Sequence, residues 1–300
     1  SAADADADAI SAADADADAI SAADADADAT SAAAEGKIMG AAIAKTLVFQ
    51  PPSPVIPCDQ IVASSVDSSH VWLETRRGSR IEAFFVDRRA QMTVLFSHAN
   101  AEDVSMVFAW LRELSLRLGV NVLGYSYTGY ARSSKPPSEL DVYADVDAAW
   151  DYLMERKVDA RRVVLYSRSV GSGPTLYLAE RLSAAGTPPA GVVLQSPILS
   201  VFRIAFDFRY TLPGDLFPNV DRVGGARCPV LVIHGTHDEV VPFWHGQELF
   251  LATRPEWRFK PFWITGAGHN NIELLLRDGG ALFKKLGEFV DFCSARRQAS

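Results

Sequence analysis

The chain has 300 residues and a formal net charge of −8. Three near-copies of Ser-Ala-Ala-Asp-Ala-Asp-Ala-Asp-Ala-Ile over residues 1–30 supply nine of the 37 acidic residues and no basic ones, so residues 31–300 hold 28 acids against 29 bases, a formal +1. A near-neutral body excludes the concentrated basic surface of a nucleic-acid binder, and no apolar run reaches the roughly 18 residues of a transmembrane span. The three cysteines, Cys58, Cys228 and Cys293, form neither a disulfide framework nor a metal spacing, which points to a reducing, cytoplasmic setting.

The N-terminal repeat has a ten-residue period, shorter than a solenoid unit, and only Ile10 and Ile20 could serve a stacking face. Alternating Asp and Ala bury too little to offset the entropy of ordering, so residues 1–30 read as a disordered low-complexity tail and residues 31–300 as the folded domain.

From about residue 32 strands and helices alternate. Residues 71–75 and 81–87 read as short strands joined by a turn at Arg76-Arg77-Gly78-Ser79. Residues 92–97 form a buried strand. Residues 104–118 have helical spacing, with Val107, Trp110, Leu111, Leu114 and Leu118 on one face, and Gly119 stops them. Strand 120–125 follows, then a helix over 140–155 with Tyr143, Val146, Trp150 and Leu153 in register. Asp145 and Asp147 on it read as helix-surface or structural carboxylates. Strand 163–166, helix 172–185 and strands 191–195 and 230–234 come next. A helix over 245–253, a strand over 259–265 and a long helix over 272–294, interrupted at Gly279-Gly280, complete the chain. Continuous Val/Ile/Leu strands alternating with helices predict an α/β fold, a mostly parallel sheet covered on both faces. Residues 198–225 break the alternation and read as a short apolar, cap-like insertion.

The chemistry concentrates in Val163-Val164-Leu165-Tyr166-Ser167-Arg168-Ser169-Val170-Gly171-Ser172-Gly173. An apolar strand runs into Ser-x-Ser-x-Gly and then a helix, the pattern of a nucleophile elbow with Ser169 at its tip. The turn demands small flanking residues: Gly171 fits, and Ser167 stands where Gly is usual. Downstream, strand 230–234 leads to Gly235-Thr236-His237-Asp238-Glu239, and the next strand leads to Gly266-Ala267-Gly268-His269-Asn270. Ser169, Asp238 and His269, each just past a strand, are in the chain order of a Ser-Asp-His triad. An oxyanion hole needs two N–H donors: Val170 supplies one, and Asn100 in His98-Ala99-Asn100-Ala101 is the choice for the other. If position 99 requires positive φ, its Ala costs about 1 kcal/mol or shifts the loop. His98 reads as a loop-shaping residue. His234, His237 and His245 match no zinc signature, and the triad requires neither metal nor cofactor.

Leu95-Phe96-Ser97-His98-Ala99-Asn100-Ala101, Gly124-Tyr125-Ser126-Tyr127-Thr128-Gly129-Tyr130 and Tyr143-Ala144-Asp145-Val146-Asp147-Ala148-Ala149-Trp150 together resemble the alpha/beta-hydrolase-domain-containing 17 family. So do Gln195-Ser196-Pro197, Val232-Ile233-His234-Gly235-Thr236 and Gly266-Ala267-Gly268-His269-Asn270-Asn271-Ile272-Glu273, and the likeness runs over about residues 36–290. It implies an alpha/beta-hydrolase fold and a serine hydrolase that removes palmitate from protein cysteines, with Ser169 as nucleophile, Asp238 as acid and His269 as base. Ser167 and Ala99 stand where the family has glycines. No Cys precedes Cys58, so the family's N-terminal palmitoylated cluster does not carry over, and peripheral membrane association has no support in these residues.

The expected substrate is an acylated protein or a small acyl ester or thioester. The triad alone does not choose among thioesterase, carboxylesterase, lipase and peptidase. Val201, Phe202, Ile204, Phe206, Phe208, Tyr210, Leu212 and Phe217 crowd the insertion, either packing on the sheet or forming an acyl groove, with Phe202, Phe206 and Phe208 as the candidate contacts. The rival from another class is a non-catalytic binding module on the same fold, suggested by the two glycine replacements.

Overall fold

The computed structural model describes residues 48–133, 135–205, 210–276 and 280–298. The repeat over 1–30 lies outside them. Eight strands form one sheet: β1 Ser68–Glu74, β2 Arg80–Val86, β3 Thr93–Ser97, β4 Asn121–Tyr125, β5 Val163–Arg168, β6 Gly191–Gln195, β7 Val230–Gly235 and β8 Phe262–Ile264. Their spatial order is β1-β2-β4-β3-β5-β6-β7-β8. β2 runs antiparallel to both β1 and β4, and every other neighbouring pair is parallel. The expected mostly parallel sheet is present, with one hairpin at its edge.

The central strands are apolar throughout because both sheet faces are covered. Side chains of a strand alternate between faces. Leu95, Leu123, Leu165, Leu194 and Val232 enter one core, where helices Glu139–Glu155 and Ser172–Ala184 pack through Val146, Trp150, Leu176 and Leu182. Val94, Phe96, Val122, Val164, Val193 and Ile233 enter the other, against helices Val104–Leu118 and Ala281–Gln298. Helix Val104–Leu118 starts where the Asp103 carboxylate accepts the Ser105 and Met106 N–H groups, and Ser138 caps Glu139–Glu155 in the same way. Edge strand β8 keeps only three residues of the expected 259–265, since β7 alone pairs with it. The expected helix over 272–294 is two described helices, Ile272–Leu276 and Ala281–Gln298, with 277–279 outside the described residues.

The insertion after β6 is anchored rather than draped. Phe217, fully buried, meets Phe49 and Tyr143 edge-on, and its N–H donates to the Glu139 carboxylate at 2.8 Å. His245, on helix Trp244–Ala252, accepts the Leu199 N–H on Nδ1 at 3.0 Å, and its Nε2 lies 3.1 Å from the Arg203 carbonyl. Among the described residues no helix is long and apolar enough to cross a membrane.

Burial pushes the His245 imidazole down from 6.5 to about 4, and a proton on Nδ1 would remove the acceptor that Leu199 uses. The unfolded chain therefore takes up a proton between about pH 6.5 and about pH 4 that the folded one refuses, and this contribution to stability falls as pH falls through that window. His245→Gln is expected to lose less unfolding free energy than the wild type between about pH 7 and about pH 4.5 in urea titrations. Parallel pH dependences for the two proteins would rule the contribution out.

Candidate active site

β3, β5, β7 and β8 are parallel, so the loops that leave their C-terminal ends gather at one edge of the sheet, where ligands of open α/β folds bind. Ser169 lies between β5 and helix Ser172–Ala184 with φ of +50°, the left-handed conformation of a strained elbow. At Gly171 any Cβ would come within 2.4 Å of the Ser97 carbonyl oxygen and 2.8 Å of that of His98, so only glycine lets the elbow touch β3. Ser172 secures the turn from below: its hydroxyl donates to the Ser169 carbonyl at 2.6 Å and accepts from Asn219 Nδ2 at 2.9 Å.

The structure brings Ser169, His269 and Asp238 together. Ser169 Oγ lies 3.1 Å from His269 Nε2, and His269 Nδ1 lies 2.8 Å from Asp238 Oδ2. Each of the three residues is 8% exposed, which keeps them out of bulk water while leaving the floor of a cleft reachable. The N–H groups of Val240 and Val241 donate to Asp238 Oδ1 at 3.0 and 2.7 Å. Burial pushes the Asp238 carboxyl up, but His234, His269 and the Val241 N–H outweigh it and hold the group well below the usual carboxylate range. Asp238 is thus ionised beside a ring whose other nitrogen faces a serine hydroxyl. Glu239 has a different position: its Oε2 accepts the backbone N–H of His269 at 3.2 Å.

The loop after β3 lies against the elbow. The Ala99 N–H donates to Glu102 Oε2 at 3.1 Å, and Asn100 lines the cleft beside Ser169 and Val170. Asn100 Oδ1 accepts from Tyr130 at 2.8 Å and from the Gln50 N–H at 2.9 Å. Tyr127 donates to the His98 carbonyl at 2.6 Å, and its ring lies 3.9 Å from the His98 imidazole. Burial pushes His98 down to about 4, consistent with a neutral loop-shaping ring. The two tyrosines flank Thr128, whose N–H and hydroxyl both donate to buried Asp145, at 2.6 and 2.7 Å. Desolvation raises the Asp145 carboxyl to about 7. Asp145 and Asp147 are both buried rather than on the helix surface. The signal for Asp145 was its place three residues after Val142 and four before Ala149, on the buried stripe.

Both glycine replacements are accommodated. Ser167 is fully buried with its hydroxyl 3.4 Å from the Val193 carbonyl, and Ala99 is not among the described non-glycine residues with positive φ. Arg168, next to the elbow, pairs with Glu102 at 3.0 Å and Glu273 at 3.5 Å, linking the loop after β3 to helix Ile272–Leu276. Sequence reasoning missed the roles of Arg168, Ser172, Tyr127 and Tyr130, which lie within the quoted motifs but whose partners come from distant segments.

A cleft of about 510 Å³ opens over Ser169, with Val48, Val170, Ile198, Val201, Ile204 and Val241 among its apolar lining residues. Phe202 packs half-buried against the core instead of lining the cleft, and Phe206 and Phe208 lie outside the described residues. His234 and His245 are buried and hydrogen-bonded to protein, and no group of three or more His, Cys, Asp or Glu suited to a metal occurs among the described residues.

No family model matches the chain. It is 38% identical over 272 residues to alpha/beta hydrolase domain-containing protein 17B of Xenopus tropicalis, covering 83% of this chain and 90% of that protein. The identity to the 17B protein of Homo sapiens is 36% over the same shares. Among solved structures, an esterase of Pyrococcus furiosus matches with a TM-score of 0.64 at 17% identity, over 81% of this chain and 98% of that one. An alpha-beta hydrolase of Vibrio vulnificus matches with a TM-score of 0.60 at 18% identity, over 74% and 82%. At these identities the structural matches establish the alpha/beta-hydrolase fold.

A serine hydroxyl that shares its proton with a histidine reacts with fluorophosphonates, and an ordinary serine does not. Peptide mapping after labelling is expected to find the adduct on Ser169 and to lose it in Ser169→Ala. An adduct on Ser167 or Ser172, or none on folded protein, would place the nucleophile elsewhere or remove it.

Proposed function

This chain belongs to the alpha/beta hydrolase domain-containing protein 17 family, and from that premise we propose that it is a serine hydrolase that cleaves long-chain S-acyl thioesters on proteins. Fold and family support a hydrolase-type enzyme. The observation that carries the finer reading is the hydrogen-bonded run from Ser169 through His269 to Asp238 at the floor of an apolar-walled cleft.

His269 Nε2 takes the Ser169 proton as Oγ attacks the acyl carbon. Asp238, held ionised, stabilises the imidazolium through Nδ1. The oxyanion that forms is assigned to the backbone N–H groups of Val170 and Asn100. The Ala99 N–H, already given to Glu102, is not the donor in this reading. As the tetrahedral intermediate collapses, the C–S bond breaks and the thiolate leaves with the proton from His269. Water, deprotonated by the same ring, then attacks the acyl-Ser169 ester and regenerates the hydroxyl. None of these steps calls for a metal or an organic cofactor.

A thioester carbonyl has little resonance stabilisation and a good leaving group, whereas an amide demands protonation of a poor one. The cleft walls Ile198, Val201 and Ile204 suit a flexible alkyl chain, each buried methylene contributing about 0.8 kcal/mol. In this reading the insertion contributes its first turns, rather than Phe202, to the acyl wall.

Three outcomes are expected with S-acyl peptides of graded chain length. kcat/KM rises from acetyl to long acyl groups, and unmodified peptides are not cut. Ile204→Asp lowers kcat/KM for long chains and spares acetyl. Asp238→Asn cuts kcat by about 10²–10⁴, while Glu239→Gln, which keeps an acceptor for the His269 N–H, does little. A preference for acetyl, or peptide cleavage that disappears in Ser169→Ala, would sink the thioesterase reading. A larger loss from Glu239→Gln than from Asp238→Asn would reassign the acid.

A further inference from the structure

His234 also touches the carboxylate of Asp238. It lies inside β7, four residues before Asp238, and is 0% exposed. Its Nε2 is 2.9 Å from the Val241 carbonyl and 3.2 Å from Asp238 Oδ2. Both neighbours are acceptors, so Nε2 carries the hydrogen and shares it between them. The opposite nitrogen, Nδ1, has no protein partner, and a Cβ on Gly246 would stand 2.4 Å from it. The ring is therefore clamped edge-on between helix Trp244–Ala252 and the carboxylate, with one N–H to give.

Asp238 Oδ2 is the same oxygen that His269 Nδ1 uses. Val241 closes a small ring with them: its N–H donates to Asp238 Oδ1 and its carbonyl accepts from His234. We propose that His234 is a positioning residue that divides the Asp238 charge with His269 and so sets the basicity of the His269 ring. The proposal rests on the reading of Ser169, His269 and Asp238 as the acyl-transfer triad.

The sign follows from the shared oxygen. A carboxylate oxygen that already accepts one N–H offers less charge to a second donor. Removing the His234 donor leaves Oδ2 to His269 alone, favours the imidazolium, and moves the loss of neutral His269 to higher pH. The other titratable groups facing this pair are Glu239 beside the His269 backbone and His245 from helix Trp244–Ala252, with Arg203 beyond it. Burial keeps His245 neutral near pH 7, so it adds no competing charge there.

The test is kcat/KM against pH for the full chain on a thioester substrate, in wild type, His234→Met and His234→Gln. Met fills the space without a donor, whereas the Gln amide reaches the Nε2 position with one. The acid limb of His234→Met is expected about 0.5–1 unit above that of the wild type, with KM little changed, and that of His234→Gln is expected to return to the wild-type position. Coincident limbs for Met and wild type, or equal shifts for Met and Gln, would overturn the proposal. Should His234→Met not fold, ring ¹⁵N resonances of the wild type decide the matter. A protonated Nε2 on His234 whose shift follows the His269 titration supports the proposal, and an Nδ1–H tautomer overturns it. Failure of the triad reading is separately visible as absent hydrolysis and absent Ser169 labelling in the wild type.

Discussion

The contact between Gly171 and the carbonyls of Ser97 and His98 is where β3, β5 and the elbow are fitted to one another. A left-handed φ on Ser169 costs an L-residue roughly 1–2 kcal/mol, and that conformation persists only where the surroundings determine it. Here helix Ser172–Ala184, buried through Leu176, Leu178, Ala179 and Leu182, holds one side of the turn. The register of β5 against β3, with Ser167 opposite Ser97, holds the other. Moving either element would change the position of the Ser169 hydroxyl and of the loop that faces it.

Polar residues behind the loops do the remaining positioning, the tyrosines and Asp145 from buried sites and Arg168 from a half-buried one. Tyr127 and Tyr130 hold the loop after β3 from one side, and Asp145 holds the tyrosine turn through Thr128. Arg168 joins Glu102 to Glu273 on the other side. Buried polar groups are costly unless they find partners, and bonds of this kind favour one arrangement of the loops. Together these bonds tie the candidate oxyanion donor Asn100 and the candidate base His269 to the same framework that carries Ser169.

The two positions where the resemblance implies glycine, 167 and 99, have a physical resolution. Ser167 adds only a hydroxymethyl group, which fits at the buried floor of β5 near the Val193 carbonyl. Ala99 sits in a backbone conformation open to any L-residue, and its N–H is already taken by Glu102. At the elbow itself the glycine that cannot be spared is Gly171, where the obstacle is backbone rather than a movable side chain.

Periodicity in the chain made the layers legible: continuous Val/Ile/Leu runs imply strands buried on two faces, and the stripe at Tyr143, Val146, Trp150 and Leu153 implies the helix that covers one of them. Ser-x-Ser-x-Gly between a strand and a helix, followed in order by Asp238 and His269 past later strands, marked three residues that the fold gathers. Those signals are local, resting on neighbours a few positions away. Strand order, the place of β2 antiparallel to β4, and the truncation of β8 depend on contacts between distant segments, which no local pattern encodes. The same holds for Phe202, which composition alone made a candidate acyl contact and packing turned toward the core. Asp145 and His234 lie within stretches that carry the family resemblance, but their partners became visible only when helix and strand were folded together. By itself the sequence determined which residue types could form an elbow and a relay; only the tertiary structure decided that Ser169 and His269, 100 positions apart, lie 3.1 Å from each other, because hydrogen-bond geometry is set by the packing that carries both loops to one edge of the sheet.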